Sequence, residues 1–215
     1  MEDHVNYLNY PVALVIMVIT IGASLYAFSN EKIYNKWMLH PYYVSRGEDV
    51  YTYFTSALIH ADWMHLIFNM VSYYFFAFGR FGLEAQLGHW QFGLLYITSM
   101  VLSDIPTVIK HKNNPGYRCL GASGAVSAVI FGEILFRPLD TMGVMFIPLP
   151  IPAWIFGILY LLYCHFASKR GRDHVNHDAH LFGALCGLVL TSILHWGVLG
   201  SFAEQVSGAI RSYLH

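Results

Sequence analysis

The stretch Leu120–Phe136, LGASGAVSAVIFGEILF, opens with Gly121, Ala122, Ser123 and Gly124 and continues as an apolar run in which Gly124, Ala128 and Gly132 recur at intervals of four. That interval returns to one helical face, so the stretch predicts a helix with a smooth side against which another backbone can lie. A second such stretch is Ala179-His180-Leu181-Phe182-Gly183-Ala184-Leu185-Cys186-Gly187, where Gly183 and Gly187 share the face of His180. Packing the two smooth faces together would bring Ser123 Oγ within hydrogen-bonding reach of His180, the geometry of a base-activated nucleophile. Ser123 would also stand at a helix N-terminus between Gly121 and Gly124, with unencumbered backbone and free N–H groups beside it, as an oxyanion site requires. Taken singly, a G-x-S-G is a common packing contact, and a histidine at a helix end is a common interfacial residue.

Working outward, the composition identifies the solvent. Of 215 residues, 56% are hydrophobic, 16% aromatic and only 12% charged, and the mean hydropathy is +0.46; these values point to lipid. Apolar runs able to cross a hydrocarbon layer of about 30 Å fall at 11–29, 57–78, 92–109, 120–136, 152–168 and 179–198. The expected fold is all-α, a six-transmembrane-helix bundle forming a single membrane domain over 1–215. The connecting loops hold nearly all the charge and several turn residues, as in His111–Tyr117 (HKNNPGY) and Ile147–Pro152 (IPLPIP). Met1–Tyr10 has no Lys or Arg and no small-residue cleavage site follows the first apolar run, so that helix is expected to be retained. Cys119, Cys164 and Cys186 are odd in number and two lie within spans, which argues against a disulfide framework. A net charge of −1 leaves no basic stripe for a phosphate backbone, excluding nucleic-acid binding.

Polar residues within apolar runs mark function, because they are costly at membrane depth. In the second run, His65 and Asn69 are four apart, with Ser72 three further on, so a polar stripe faces the bundle, where it can also serve as interhelical glue. His174, His177 and His180 recur every three residues beside Asp173 and Asp178, which raises a metal site. There is no H-E-x-x-H, and on a continuous helix His60 and His65 would diverge by about 140°. No metal and no cofactor are therefore expected. The absence of an internal repeat argues against a transporter.

Together, His60, His65 and Asn69 in the spacing H-x4-H-x3-N, G-A-S-G at 121–124, and A-H-x-x-G-x-x-x-G at 179–187 resemble the rhomboid family of intramembrane serine proteases. The resemblance covers about 50–198, with Glu84 and Gly88 similar to the family's loop. It implies a dyad in which Ser123 attacks the peptide carbonyl and His180 takes and returns the proton, without a third carboxylate. It also implies an oxyanion held by the Ser123 backbone N–H with His65 and Asn69, while Gly121, Gly124, Gly183, Gly187 and His60 support the site. The implied partners are transmembrane protein substrates within the bilayer, cut near the outer end of a span; a catalytically inactive membrane-protein binder is the first alternative, and a His-ligated membrane metalloenzyme the second. A bacterial inner membrane is the expected location, with a lateral gate expected around Pro138–Ile151 and the fifth helix.

Two features depart from the pattern. The position four after the serine, often aromatic, is Ser127, and the family's Trp-Arg pair is replaced by Asp49-Val50-Tyr51-Thr52-Tyr53-Phe54. Orientation raises a conflict of its own. Lys32, Lys36, Arg46, Lys110, Lys112, Arg118, Lys169, Arg170 and Arg172 lie in loops 1, 3 and 5, against Arg80, Arg137 and Arg211 elsewhere. The positive-inside rule would put those loops in the cytoplasm, whereas the resemblance implies cytoplasmic termini and a serine opening outward.

Overall fold

The structure is a computed structural model that describes residues 6–144, 147–170 and 175–214. In chain order the helices are α1 (Pro11–Ser29), α2 (Glu31–Trp37), α3 (Pro41–Val44), α4 (Thr52–Thr55), α5 (Trp63–Ala77), α6 (Leu83–Leu87), α7 (His89–Leu102), α8 (Ile105–His111) and α9 (Ser123–Phe136). A hairpin of β1 (Thr141–Val144) and β2 (Ile147–Pro152) precedes α10 (Ala153–Arg170), α11 (His177–Leu194) and α12 (Val198–Leu214).

The molecule is an all-α membrane bundle built around α9, whose residues from Gly124 to Leu135 are buried except for Ile130. A helix that is apolar on every side belongs at the centre. Outside it the distribution is inverted relative to a water-soluble protein. Val15, Val18 and Ile19 of α1, Ile158, Leu159 and Phe166 of α10, and Val189 and Ile193 of α11 are exposed, while Thr20, Ser24, Ser99 and Thr191 are buried. Lipid suits that outer surface and internal hydrogen bonding suits the inner one. Among the described residues, Pro11–Ser29, His89–His111 and His177–Leu194 are each long and apolar enough to cross a membrane, and Ser123–Phe136 is a shorter apolar helix.

Capping explains several element boundaries. The helix expected over 57–78 begins at Trp63, because the Asp62 side chain accepts the His65 N–H at 2.8 Å and caps it there. The preceding Ser56–Leu58 is a 3-10 turn. The run expected over 92–109 is interrupted at Ser103 and Asp104, between α7 and α8. Its upstream end is extended by Gly88, whose φ of +90° makes the turn from α6 into α7. The last run, expected to reach 198, ends at Leu194, and α12 follows after a turn at Gly197. Gln205 of α12 donates to the Phe136 carbonyl at 3.2 Å, satisfying a group at the end of α9.

Glu84 is buried and ties three elements together. It accepts the Val12 and Ala13 N–H groups at the start of α1 at 3.1 and 2.6 Å and pairs with His89 Nδ1 at 2.6 Å. The first amides of a helix carry partial positive charge, so a carboxylate placed there is compensated. The β1–β2 hairpin occupies part of the stretch where a gate is expected, and Met145 and Phe146 lie outside the described residues.

Candidate active site

The smooth faces of α9 and α11 meet. A Cβ added to Gly183 would strike the Gly124 backbone, and one added to Gly187 would strike the Ala128 backbone, so the helices touch main chain to main chain. One turn further, a Cβ on Gly132 would stand 2.7 Å from Thr191 Oγ1. Gly124 also faces Ser103 and, at 3.4 Å, the Ala179 carbonyl. Ser123 and His180 are therefore immediate sequence neighbours of two residues in direct apposition, Gly124 and Ala179. Both are half-buried, at the same end of the bundle.

Ser123 is the first residue of α9, and its N-cap, Ala122, has no side chain able to cap. The first amides of α9 have no intrahelical partner, as at any helix start, and Ala122 supplies none from a side chain. The loop leading into it is held by main-chain bonds. Leu39 and Cys119 exchange N–H and carbonyl at 2.9 and 3.1 Å, and the Gly121 N–H donates to the Ser56 carbonyl at 2.9 Å.

His60 completes that anchorage. Ser24 Oγ donates to the Leu58 carbonyl at 3.0 Å, so it accepts from His60 Nδ1 at 3.0 Å; His60 Nε2 is then the acceptor for the Ala122 N–H at 3.4 Å. The fully buried neutral imidazole links α1 to the residue before Ser123. His60 precedes α5, so its ring and that of His65 do not diverge as a continuous helix would require; they lie 4.9 Å apart at 77°.

His65 stands on the side of α5 facing this loop, with Asn69 one turn further along the helix. His65 Nδ1 accepts the Ala61 N–H at 3.3 Å, which assigns the proton to Nε2. The Cε1–Nε2 edge lies against Gly121, where a Cβ would be 2.6 and 2.8 Å from those atoms. The buried Asn69 amide donates one N–H to the His65 carbonyl at 2.9 Å and carries a second N–H. His65 Nε2–H beside Gly121 and the Asn69 amide one turn further along α5 are thus donors on one face of that helix, the first of them against the loop that leads into Ser123.

Ser127 does not stack on His180. It hydrogen-bonds Tyr160 of α10 at 3.1 Å, and Tyr160 lies against Phe131 and Phe156. An aromatic neighbour of His180 is His177 on the same helix, edge to face with ring centres 6.1 Å apart. Tyr163 in turn sets its ring against His177 at 5.4 Å. Asn176 caps α11 by accepting the Ala179 N–H at 3.1 Å and also accepts from Thr107 at 3.0 Å, so the start of α11 is fixed to α8.

Of the residues raised as metal ligands, Asp173 and His174 lie outside the described residues, and Asp178 pairs with Lys110 at 2.6 Å. Among the described residues it is Cys164 that joins His177 and His180 in a cluster able to hold a cation. The sequence reading also missed Ser24, Tyr160, and the buried Glu133 carboxyl of α9. A glutamate inside an apolar run was a signal for the last; the first two act through contacts distant in sequence.

Residues 47–197 match a family model described as Rhomboid domain. The chain is 29% identical over 172 residues to "RHOMBOID-like protein 12, mitochondrial" of Arabidopsis thaliana, covering 73% of this chain and 50% of that protein. It is 34% identical over 143 residues to the putative rhomboid protease YdcA of Bacillus subtilis, covering 65% and 64% respectively. It is 26% identical over 164 residues to the rhomboid protease GlpG of Haemophilus influenzae, covering 76% and 77%. The chain thus spans half the length of the plant relative and under two thirds of the Bacillus one.

Proposed function

Since this chain belongs to the rhomboid family, we propose that it is an intramembrane serine endopeptidase, formed by one six-span domain over 1–215, that cuts transmembrane segments of other proteins through Ser123 and His180. The observation that supports this reading is the main-chain contact of Gly124 with Gly183, because Gly124 follows Ser123 on α9 and Gly183 lies one turn after His180 on α11.

In this mechanism His180 takes the Ser123 hydroxyl proton as Oγ attacks the scissile carbonyl, and returns it to the leaving amine. The oxyanion is received by the Ser123 N–H, His65 Nε2–H and the Asn69 amide. Water then hydrolyses the acyl-enzyme with His180 again as base. Gly121 keeps the space that His65 occupies, and His60 positions the loop. A substrate must unwind locally to present its carbonyl, so helix-breaking residues favour cleavage. The location proposed is a bacterial inner membrane, supported by the Bacillus and Haemophilus relatives; the mitochondrial plant relative offers the competing location.

Reconstitution into vesicles with single-span reporters carrying Gly or Pro near one end of the span tests the reading. Wild type is expected to release a fragment cut at or near that end, and Ser123→Ala to release none. Cleavage that persists in Ser123→Ala would refute it.

A further inference from the structure

Cys164 of α10 and His177 and His180 of α11 bring three ligand atoms, one thiol sulfur and two imidazole nitrogens, within 4.8 Å of one another. His177 is the first residue of α11 and His180 lies one turn on, so both rings project from one face. The Tyr163 ring, one residue before Cys164, packs edge-on against His177 at 5.4 Å, so the turn of α10 that carries the thiol also holds the imidazole. Cys164 and His177 are buried while His180 is half-buried, so the cluster runs from the interior to the edge of the site.

One thiolate and two imidazoles are a donor set suited to a tetrahedral, thiophilic divalent cation. With metal–sulfur bonds of about 2.3 Å and metal–nitrogen bonds of about 2.0 Å, donors in such a site sit roughly 3.5 Å apart, so closing from the present separation takes small side-chain rotations. Resting on the reading of His180 as general base, we propose that Cys164, His177 and His180 form an inhibitory zinc-type cation site. Binding displaces the thiol proton to water and leaves a fourth coordination position for water. The His180 nitrogen that binds the cation has its lone pair in that bond, and the other ring nitrogen carries the imidazole proton, so neither accepts a proton from Ser123, which stays an unreactive hydroxyl. Hard cations such as magnesium, which take oxygen donors, are excluded by the same chemistry.

The test uses the full chain in detergent after chelator treatment, read in two ways. Cobalt(II) reports binding without reference to activity: wild type and Ser123→Ala are expected to give visible tetrahedral bands with a near-ultraviolet thiolate charge-transfer band. Cys164→Ser should lose the charge-transfer band, while Cys119→Ser and Cys186→Ser keep it. His177→Gln should lose the tetrahedral bands, giving a second variant that retains the thiol. Fluorophosphonate labelling reports the consequence: zinc is expected to suppress wild-type labelling by roughly a hundredfold, the scale of losing a general base. Chelator should restore it, magnesium should leave it unchanged, and Cys164→Ser should label at the zinc concentration that silences wild type. Wild type that labels equally with and without zinc, or Cys164→Ser that remains as sensitive, overturns the cation site and leaves the dyad standing. Wild type that never labels in metal-free buffer, yet gives the Cys164-dependent cobalt band, overturns the dyad and the inhibitory role together.

Discussion

Gly121 has φ +122°, and a Cβ there would stand 2.6 Å from Cε1 of His65, so both its backbone and its neighbour exclude a larger residue. Gly121→Ala is therefore expected to turn the His65 ring away and to cost on the order of 10²-fold in acylation rate, comparable to losing an oxyanion donor. Stopped-flow or timed fluorophosphonate labelling checks this, with far-ultraviolet circular dichroism confirming the fold; a variant as fast as wild type would contradict the role. His65→Ala should lose a similar factor, because the Nε2–H it removes is the donor the tautomer assigns. The spacing of His65 and Asn69 made their shared face legible from sequence alone. The role of His60 was not legible in the same detail, since its partners Ser24 and Ala122 are remote in sequence and only the folded loop brings them together.

Between elements, the contact of α9 with α11 depends on the absence of side chains at two places where the neighbour is backbone. Gly183→Val and Gly187→Val should each destabilise the fold by about 1–3 kcal/mol or more, since main chain yields less readily than a side chain. Thermal unfolding in detergent should show a lower midpoint for both, and unchanged midpoints would contradict the contact. Tyr160→Phe removes the hydroxyl bonded to Ser127 and should cost only about 0.6 kcal/mol, as interhelical hydrogen bonds in membranes do. A loss of several kcal/mol in the same measurement would mean that Tyr160 carries more of the α9–α10 contact than one hydrogen bond. The four-residue recurrence of small residues made this helix pairing readable. Helix starts were less so, because hydropathy smooths over a local cap: His60-Ala61-Asp62 reads as part of the second run, yet the Asp62 carboxylate begins the helix at Trp63. The last helix, α12, escaped because its apolar residues alternate with Ser201, Glu204, Gln205 and Arg211 and form no continuous apolar run.

Across the whole molecule, the class was legible because apolar composition and interrupted polar runs both answer to lipid as solvent. Orientation is where composition and family expectation diverge, and the structure offers physical reasons for part of the basic excess. Arg46 donates to the Tyr42 and Lys112 carbonyls at 2.6 and 2.9 Å, Arg118 to Asn35 at 3.2 Å, and Lys110 to Asp178 and the Ser168 carbonyl at 2.6 and 3.0 Å. These cations tie together the loops on the face that holds Ser123 and His180, so they serve the folded layer around the site. With the site facing outward, a membrane-impermeant maleimide should label a cysteine introduced at exposed Asn113 in intact cells, and labelling only after lysis would reverse the orientation. The central claim, that Ser123 is activated by His180, is tested most directly by fluorophosphonate labelling of the detergent-purified chain, with the adduct mapped by mass spectrometry. The account predicts an adduct on Ser123 in wild type and none in Ser123→Ala or His180→Ala; a folded wild type that takes no label, or a Ser123→Ala variant that labels equally well, would contradict it.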